Sequence, residues 1–265
     1  MTTRLLEGKR GVVLGVANDR SIAWGCAQAC AHHGAELAFG YPNDAMKKRV
    51  EELAQTMPGA PVLLCDVTKD DDISAFFAKL KEHWGSIDFV VHSIAFAHRD
   101  DLKNPFLQTP RDHFALAMDV SAYSLVAVAR EAAPLMTNGG SIVTMTYYGA
   151  EKVIPNYNVM GVAKAALEAC TRYLAYDLGP QSIRINAISA GPIRTLSASA
   201  ISDLRIMLDV AEKTAPLRRN VTQTEVGNAA LYLLSDLASG VTGEVHHVDC
   251  GYNTLGLSAY EPSGE

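Results

Sequence analysis

The chain has 265 residues, 48% hydrophobic and 20% charged, which supplies a substantial core and excludes a largely disordered chain. A formal net charge of −6 and a pI near 5.8 lack the clustered basic charge that nucleic acid requires, so no nucleic-acid partner is expected. No window approaches the roughly 18 consecutive apolar residues of a membrane span, the first residues carry no secretory signal, and the five cysteines are scattered outside any metal or disulfide spacing. The expectation is a cytoplasmic protein with reduced thiols, no membrane partner and no metal.

Short Val, Ile and Leu runs alternate with segments of helical period along the whole chain. Gly11–Gly15 is the first expected strand, followed by a small-residue helix from Ser21 to His33. A strand at Ala35–Phe39, a helix at Asp44–Gln55, a strand at Pro61–Cys65 and a helix at Asp70–Trp84 with an acidic first turn complete three βα units. Next come a strand at Ile87–His92, a long helix from Arg111 to Pro134, a strand at Ser141–Met145 and a second long helix from Tyr157 to Leu178. A strand at Ile183–Ala187, a helix at Val221–Ser235 and a strand at Glu244–Val248 close the series. This pattern predicts an α/β fold: a single Rossmann-like, doubly wound domain over residues 1–265, with a seven-stranded parallel sheet and helices on both faces. The longest irregular stretch, between Ala190 and about Thr214, contains an apolar helical patch from Leu196 to Val210 and is expected to form a substrate lid at about 194–214.

The first strand runs into Gly15-Val-Ala-Asn-Asp-Arg-Ser21-Ile22-Ala23-Trp-Gly25. This is not Gly-x-Gly-x-x-Gly, yet Gly15 allows a tight turn, Ser21 offers a hydroxyl at the helix start, and Ala23 and Gly25 let the helix approach the sheet. A pyrophosphate could then rest on the helix N-terminus. Asp66 and Val67 after the third strand, and Ser93 and Ile94 after the fourth, fall on the same sheet edge. There a carboxylate can accept from an adenine amino group and backbone can approach a nucleoside. After the second strand the sequence Gly40-Tyr-Pro42-Asn-Asp44 brings no base for a 2′-phosphate, so NADH is favoured over NADPH, with Arg20 and Lys47 the nearest bases that could swing in.

Tyr157 and Lys164 lie seven apart, two helical turns along one face. The lysine can bind ribose hydroxyls and favours negative charge nearby, while the phenol can donate to an oxygen that gains charge. Tyr148 and Lys152 have a four-residue spacing but flank a strand end and Pro155, on a loop without fixed helical geometry.

These motifs, together with Tyr147-x-Gly-Ala-Glu, Pro155-Asn-Tyr157-Asn-Val-Met-Gly161, Ala187-Ile-Ser-Ala-Gly-Pro-Ile-Arg-Thr195 and Gly243-Glu244, resemble the short-chain dehydrogenase/reductase superfamily. Within it they are most similar to the bacterial NADH-dependent enoyl-acyl-carrier-protein reductases. The resemblance implies hydride transfer from NADH to the β-carbon of a trans-2-enoyl thioester in fatty acid elongation. Tyr157, Lys164 and Tyr147 would then be the catalytic residues, with Tyr147, Tyr157 and Ala97 lining the substrate side. Ile193 and Thr195 would meet the nicotinamide, and Ser121 would stand where other superfamily members carry Asn. It also implies a homotetramer and an acyl-carrier-protein thioester substrate, with coenzyme A as the other possible carrier.

Three departures from the family pattern carry consequences. Pro42 replaces a polar residue beside adenine, Ala95 replaces a glycine and should narrow the space for flat inhibitors, and the lid is poor in basic residues, leaving Arg218 and Arg219 for carrier docking. Two other functions fit the same fold. One is a carbonyl or alcohol dehydrogenase of the wider superfamily; the other is a non-catalytic NAD sensor.

Overall fold

Apolar runs bounded by turns form the strands of the computed structural model, which describes residues 4–57, 59–196 and 204–256. The strands are β1 (Arg10–Leu14), β2 (Glu36–Tyr41), β3 (Val62–Leu64), β4 (Phe89–His92), β5 (Gly140–Thr146), β6 (Ile183–Ala190) and β7 (Val245–Val248). All pair in parallel in the order β3-β2-β1-β4-β5-β6-β7. This is the expected seven-stranded doubly wound sheet. Because side chains alternate along a strand, neighbouring residues feed opposite layers. Val13, Val91 and Val143 point toward α1 (Ile22–His32), α2 (Asp44–Ala54) and α8 (Gln223–Leu234). Val12, Val90 and Ile142 point toward α3 (Asp70–Trp84), α5 (Ser124–Ala132) and α6 (Asn158–Leu178).

The helix starts follow local chemistry. Asn43 caps α2 by accepting from the Met46 N–H. Three aspartates fill the first turn of α3, where the helix dipole favours negative charge. Thr222 and Glu225 form a reciprocal capping box on α8.

One expectation is corrected. The long helix from Arg111 to Pro134 is broken: α4 covers Arg111–Met118, a π-helical turn covers Asp119–Tyr123, α5 follows, and a 3-10 turn closes it at Ala133–Leu135. Serine hydroxyls compete for the backbone there, with Ser124 Oγ donating to the Val120 carbonyl at 2.7 Å. The expected helical patch from Leu196 to Val210 is described at its two ends. Helix α7 spans Leu204–Thr214, Leu196 stands in a turn, and residues 197–203 lie outside the described residues.

Candidate active site

The sheet order reverses between β1 and β4, the position where such folds bind ligands at their C-terminal edge. The register sets Leu14 beside His92 and His92 beside Thr144, so the chains leaving β1, β4 and β5 emerge together. Gly15 has φ +98°, and a β-carbon there would lie 2.0 Å from the Ser93 carbonyl oxygen. Only glycine admits that approach. Ser21 occupies the N-cap position of α1, but its Oγ donates backward to the Asn18 carbonyl at 2.6 Å and accepts from none of the helix N–H groups. With no acidic residue in the first turn either, that end of α1 suits a phosphate anion, and the turn fits a dinucleotide. From the opposite end of the chain, Gln223 Nε2 donates to the carbonyls of Asp19 (3.1 Å) and Ser21 (2.5 Å), tying the turn to α8.

A cleft of about 380 Å³ opens at this edge. Of the residues predicted from sequence, Gly15, Ser21, Ile22, Ser93, Ile94, Ala97, Tyr147, Tyr157, Lys164, Ile193 and Thr195 all line it. Asp66 and Val67 do not. Val67 is buried in the core, and Asp66 turns its carboxylate to the Thr68 N–H and hydroxyl (3.1 and 2.8 Å) and to Lys69 (3.1 Å).

Tyr157 stands immediately before α6, not within it, and the residues on both sides are left-handed: Asn156 at φ 64° and Asn158 at φ 43°. Asparagine tolerates that region better than other L-residues. Asn158 Nδ2 also donates to the carbonyls of Asp101 (2.9 Å) and Asn104 (3.0 Å), so the corner bearing the phenol is anchored to the loop after β4. The Tyr157 ring meets Tyr147 edge-on, with centroids 4.9 Å apart and planes at 73°. Burial, reinforced by Tyr147 and Glu168, holds the Tyr157 phenol well above its ordinary range, so it stays protonated.

Two turns along α6, Lys164 is 5% exposed and donates from Nζ to the Met145 carbonyl at 2.7 Å. Burial lowers its pKa to about 8, against an opposing pull from Glu168. Behind it, His92 is fully buried between Thr144 Oγ1 (3.0 Å) and Ser124 Oγ (2.8 Å). Desolvation, with the Lys164 charge adding to it, depresses its pKa to about 3 and keeps it neutral.

Ser121 sits on the π-helical turn, accepts from the Phe96 N–H (2.9 Å) and donates to the Phe96 carbonyl (3.1 Å). Its hydroxyl therefore pins the segment that carries Ala97. Tyr148 packs against Tyr252 (5.9 Å) and His247 (6.5 Å), and neither it nor Lys152 lines the cleft. Lys47 lies 6.0 Å over the Tyr41 ring and 3.9 Å from Glu51. Arg219 forks onto Glu225 at 2.6 and 2.9 Å, and Arg218 donates to the Lys213 carbonyl, so both are held by local partners.

Four residues escaped the sequence reading: His92, Asn158, Glu168 and Gln223. Only Glu168 had a local signal, since it lies one helical turn past Lys164.

The chain matches the family model described as enoyl-(acyl carrier protein) reductase over residues 15–253. The NADH-dependent enoyl-[acyl-carrier-protein] reductase 1 of Rhizobium meliloti is 61% identical, covering 97% of this chain and 94% of its own. Its counterpart in Bacillus cereus is 57% identical, covering 95% and 99%. The crystal structure of the Bacillus cereus reductase with NADP+ and indole naphthyridinone superposes with a TM-score of 0.94, over 96% of this chain and 99% of that one. The Anaplasma phagocytophilum reductase in complex with NAD, 53% identical, gives 0.93 over 97% and 98%. By fold and by identity along nearly its whole length, the chain belongs to the enoyl-(acyl carrier protein) reductase family.

Proposed function

We propose that the protein is an NADH-dependent enoyl-acyl-carrier-protein reductase that saturates the trans-2 double bond of enoyl thioesters in fatty acid elongation. The observation that carries this reading is the convergence of Tyr147, Tyr157 and the buried Lys164 on one cleft, in a chain that matches the enoyl-(acyl carrier protein) reductase family over residues 15–253. A phenol there suits donation to an oxygen that gains charge, as the thioester oxygen does when electrons arrive at the β-carbon.

NADH, when bound, supplies the hydride. Gly15, Ser21 and Ile22 would hold its pyrophosphate end, Ser93 and Ile94 its adenosine end, and Ile193 and Thr195 the nicotinamide; Asp66 and Val67, outside the cleft, would meet the adenine only if it reaches past the cleft along the same sheet edge. Lys164 would bind the ribose hydroxyls and present positive charge. Tyr157 would donate to the thioester oxygen as it becomes an enolate, while Tyr147 backs that ring and, with Ala97, forms the substrate wall. Helix α7, which brings Leu204 and Met207 to the cleft, would cover the acyl chain as a lid. NADH is favoured over NADPH because the segment after β2, Gly40-Tyr-Pro42-Asn-Asp44, brings no base for a 2′-phosphate, with Arg20 and Lys47 the nearest bases in the sequence.

The substrate would be carried on acyl carrier protein, with coenzyme A as a second carrier. Among the described residues no helix is long and apolar enough to cross a membrane, which fits a cytoplasmic enzyme. The exposed rings of Tyr173 and Tyr176 on α6 suit subunit contact, and a homotetramer is expected.

The test is oxidation of NADH and NADPH with crotonyl thioesters on both carriers, run beside a panel of ketones and aldehydes. Turnover of the enoyl thioesters with NADH is expected. Turnover confined to carbonyl substrates would replace this reading with that of a carbonyl reductase, and NADH binding without any turnover would favour the sensor.

A further inference from the structure

Consecutive residues of β5 grip successive turns of α6. The Met145 carbonyl takes the Lys164 ammonium at 2.7 Å, and the Thr146 hydroxyl donates to Glu168 Oε1 at 2.6 Å. Lys164 and Glu168 are both buried, at 5% and 7% exposure, on one stripe of the helix. Residues four apart on a helix are direct neighbours. A carboxylate in that position is costly to bury unless it has work there or a partner.

The groups facing Lys164 can be named from each packed element. Tyr157, at the start of its own helix, is a protonated phenol; β4 brings His92, which burial keeps neutral; β5 brings a carbonyl. Among the described residues named, Glu168 alone brings negative charge, and it opposes the desolvation that works against the ammonium. Glu168 in turn faces Arg172 on α6, Glu151 after β5 and His247 on β7, with His247 paired to Glu151 at 2.9 Å. Burial raises the Glu168 pKa above the ordinary carboxylate range, and Thr146, by donating to Glu168, works the other way and favours its ionised form.

We propose that Glu168 is a positioning residue that keeps the Lys164 ammonium charged and in place inside the apolar cleft wall, acting through Lys164 without touching substrate. The proposal rests on the assignment of Lys164 to the cofactor ribose. Its consequence is the pH range of the enzyme. The charged lysine is the working form, so removing Glu168 makes the ammonium lose its proton at lower pH.

The experiment measures kcat/KM for NADH with a crotonyl thioester from about pH 6 to about pH 9, for the whole enzyme and for Glu168→Gln, Glu168→Asp and Thr146→Val. In Glu168→Gln the alkaline limb is expected to move down by about one pH unit. Glu168→Asp, which keeps the charge, should recover most of that displacement. Thr146→Val, which frees the carboxylate, should give a smaller shift of the same sign. A Glu168→Gln profile with the parent's alkaline limb, or lowered by one factor at every pH, overturns the proposal and makes Glu168 merely structural. If Glu168→Gln does not fold, Thr146→Val decides by the same criterion. Lys164→Ala separates the two levels. If that variant binds NADH as tightly as the parent, the cofactor assignment and this proposal both fall; if it loses NADH while the Glu168→Gln limb stays put, only the proposal falls.

Discussion

The ring of Tyr157 rests on the backbone of Gly149: a β-carbon at Gly149 would lie 2.4 Å from Cδ1 of that ring. The absence of a side chain on the turn after β5 thus sets how deep the phenol sits. Gly149→Ala should push the ring outward and lower kcat/KM by about 10- to 100-fold, the usual cost of misplacing a reacting group by about 1 Å. A variant with parent kinetics and parent thermal stability would show that the ring has room to move aside.

The two neighbouring tyrosines should behave differently. Tyr157→Phe removes the donor aimed at the cleft and should reduce kcat by about 10²- to 10³-fold. Tyr148→Phe, on a ring packed against Tyr252 outside the cleft, should stay within about threefold of the parent. Equal losses would overturn the assignment of the proton donor to Tyr157.

Gln223 links the cofactor turn to α8 across 200 residues of sequence through two carbonyls. Gln223→Met keeps the volume and removes both donations. The KM for NADH should rise about five- to tenfold, the scale of one or two net hydrogen bonds, while kcat falls by less. A uniform loss in kcat with an unchanged KM for NADH would count against a role in holding the turn.

His92 makes the fold acid-sensitive. Its pKa is depressed by burial to about 3, so the unfolded chain takes up a proton below about pH 6.5 that the folded chain refuses. Stability from this group is complete above the unfolded value and is lost as pH falls toward 3, by up to a few kcal/mol. His92→Gln should be less stable than the parent at neutral pH but lose less between about pH 6.5 and about pH 4. Urea midpoints of the two proteins that fall in parallel would exclude His92 as the source.

The capping box of α8 is a local contribution. Thr222→Ala should cost about 1 kcal/mol and lower the melting temperature by about 2 °C. Arg219 and the Thr222 N–H depress the Glu225 pKa to about 2, so the part due to Glu225 is present above its ordinary value and fades as pH falls toward 2. A melting temperature unchanged by Thr222→Ala would mean that α8 is held by packing alone.

The elements and the sheet were legible in the amino-acid sequence because they depend on local pattern. Unbroken apolar strands such as Gly11–Leu14 and Phe89–Val91 belong to a sheet covered on both faces, and Asp70–Trp84 carried its own acidic start. The Tyr157–Lys164 spacing carried the main chemistry, since seven residues on a helix define one face whatever surrounds them. Tertiary structure decided what depends on partners distant in sequence. The π-helical turn that aims Ser121 at Phe96 lies where the Ser124 hydroxyl competes with backbone N–H groups for the Val120 carbonyl, which periodicity does not register. The left-handed corner around Tyr157 needs Asn158 to find the loop at Asp101, and the cofactor turn needs Gln223 from the other end of the chain. Ordinary pKa values follow from residue type, but the raised pKa of Tyr157 and the lowered ones of His92 and Lys164 come from desolvation. Burial is a property of the whole packed molecule, so it enters only when the chain is folded.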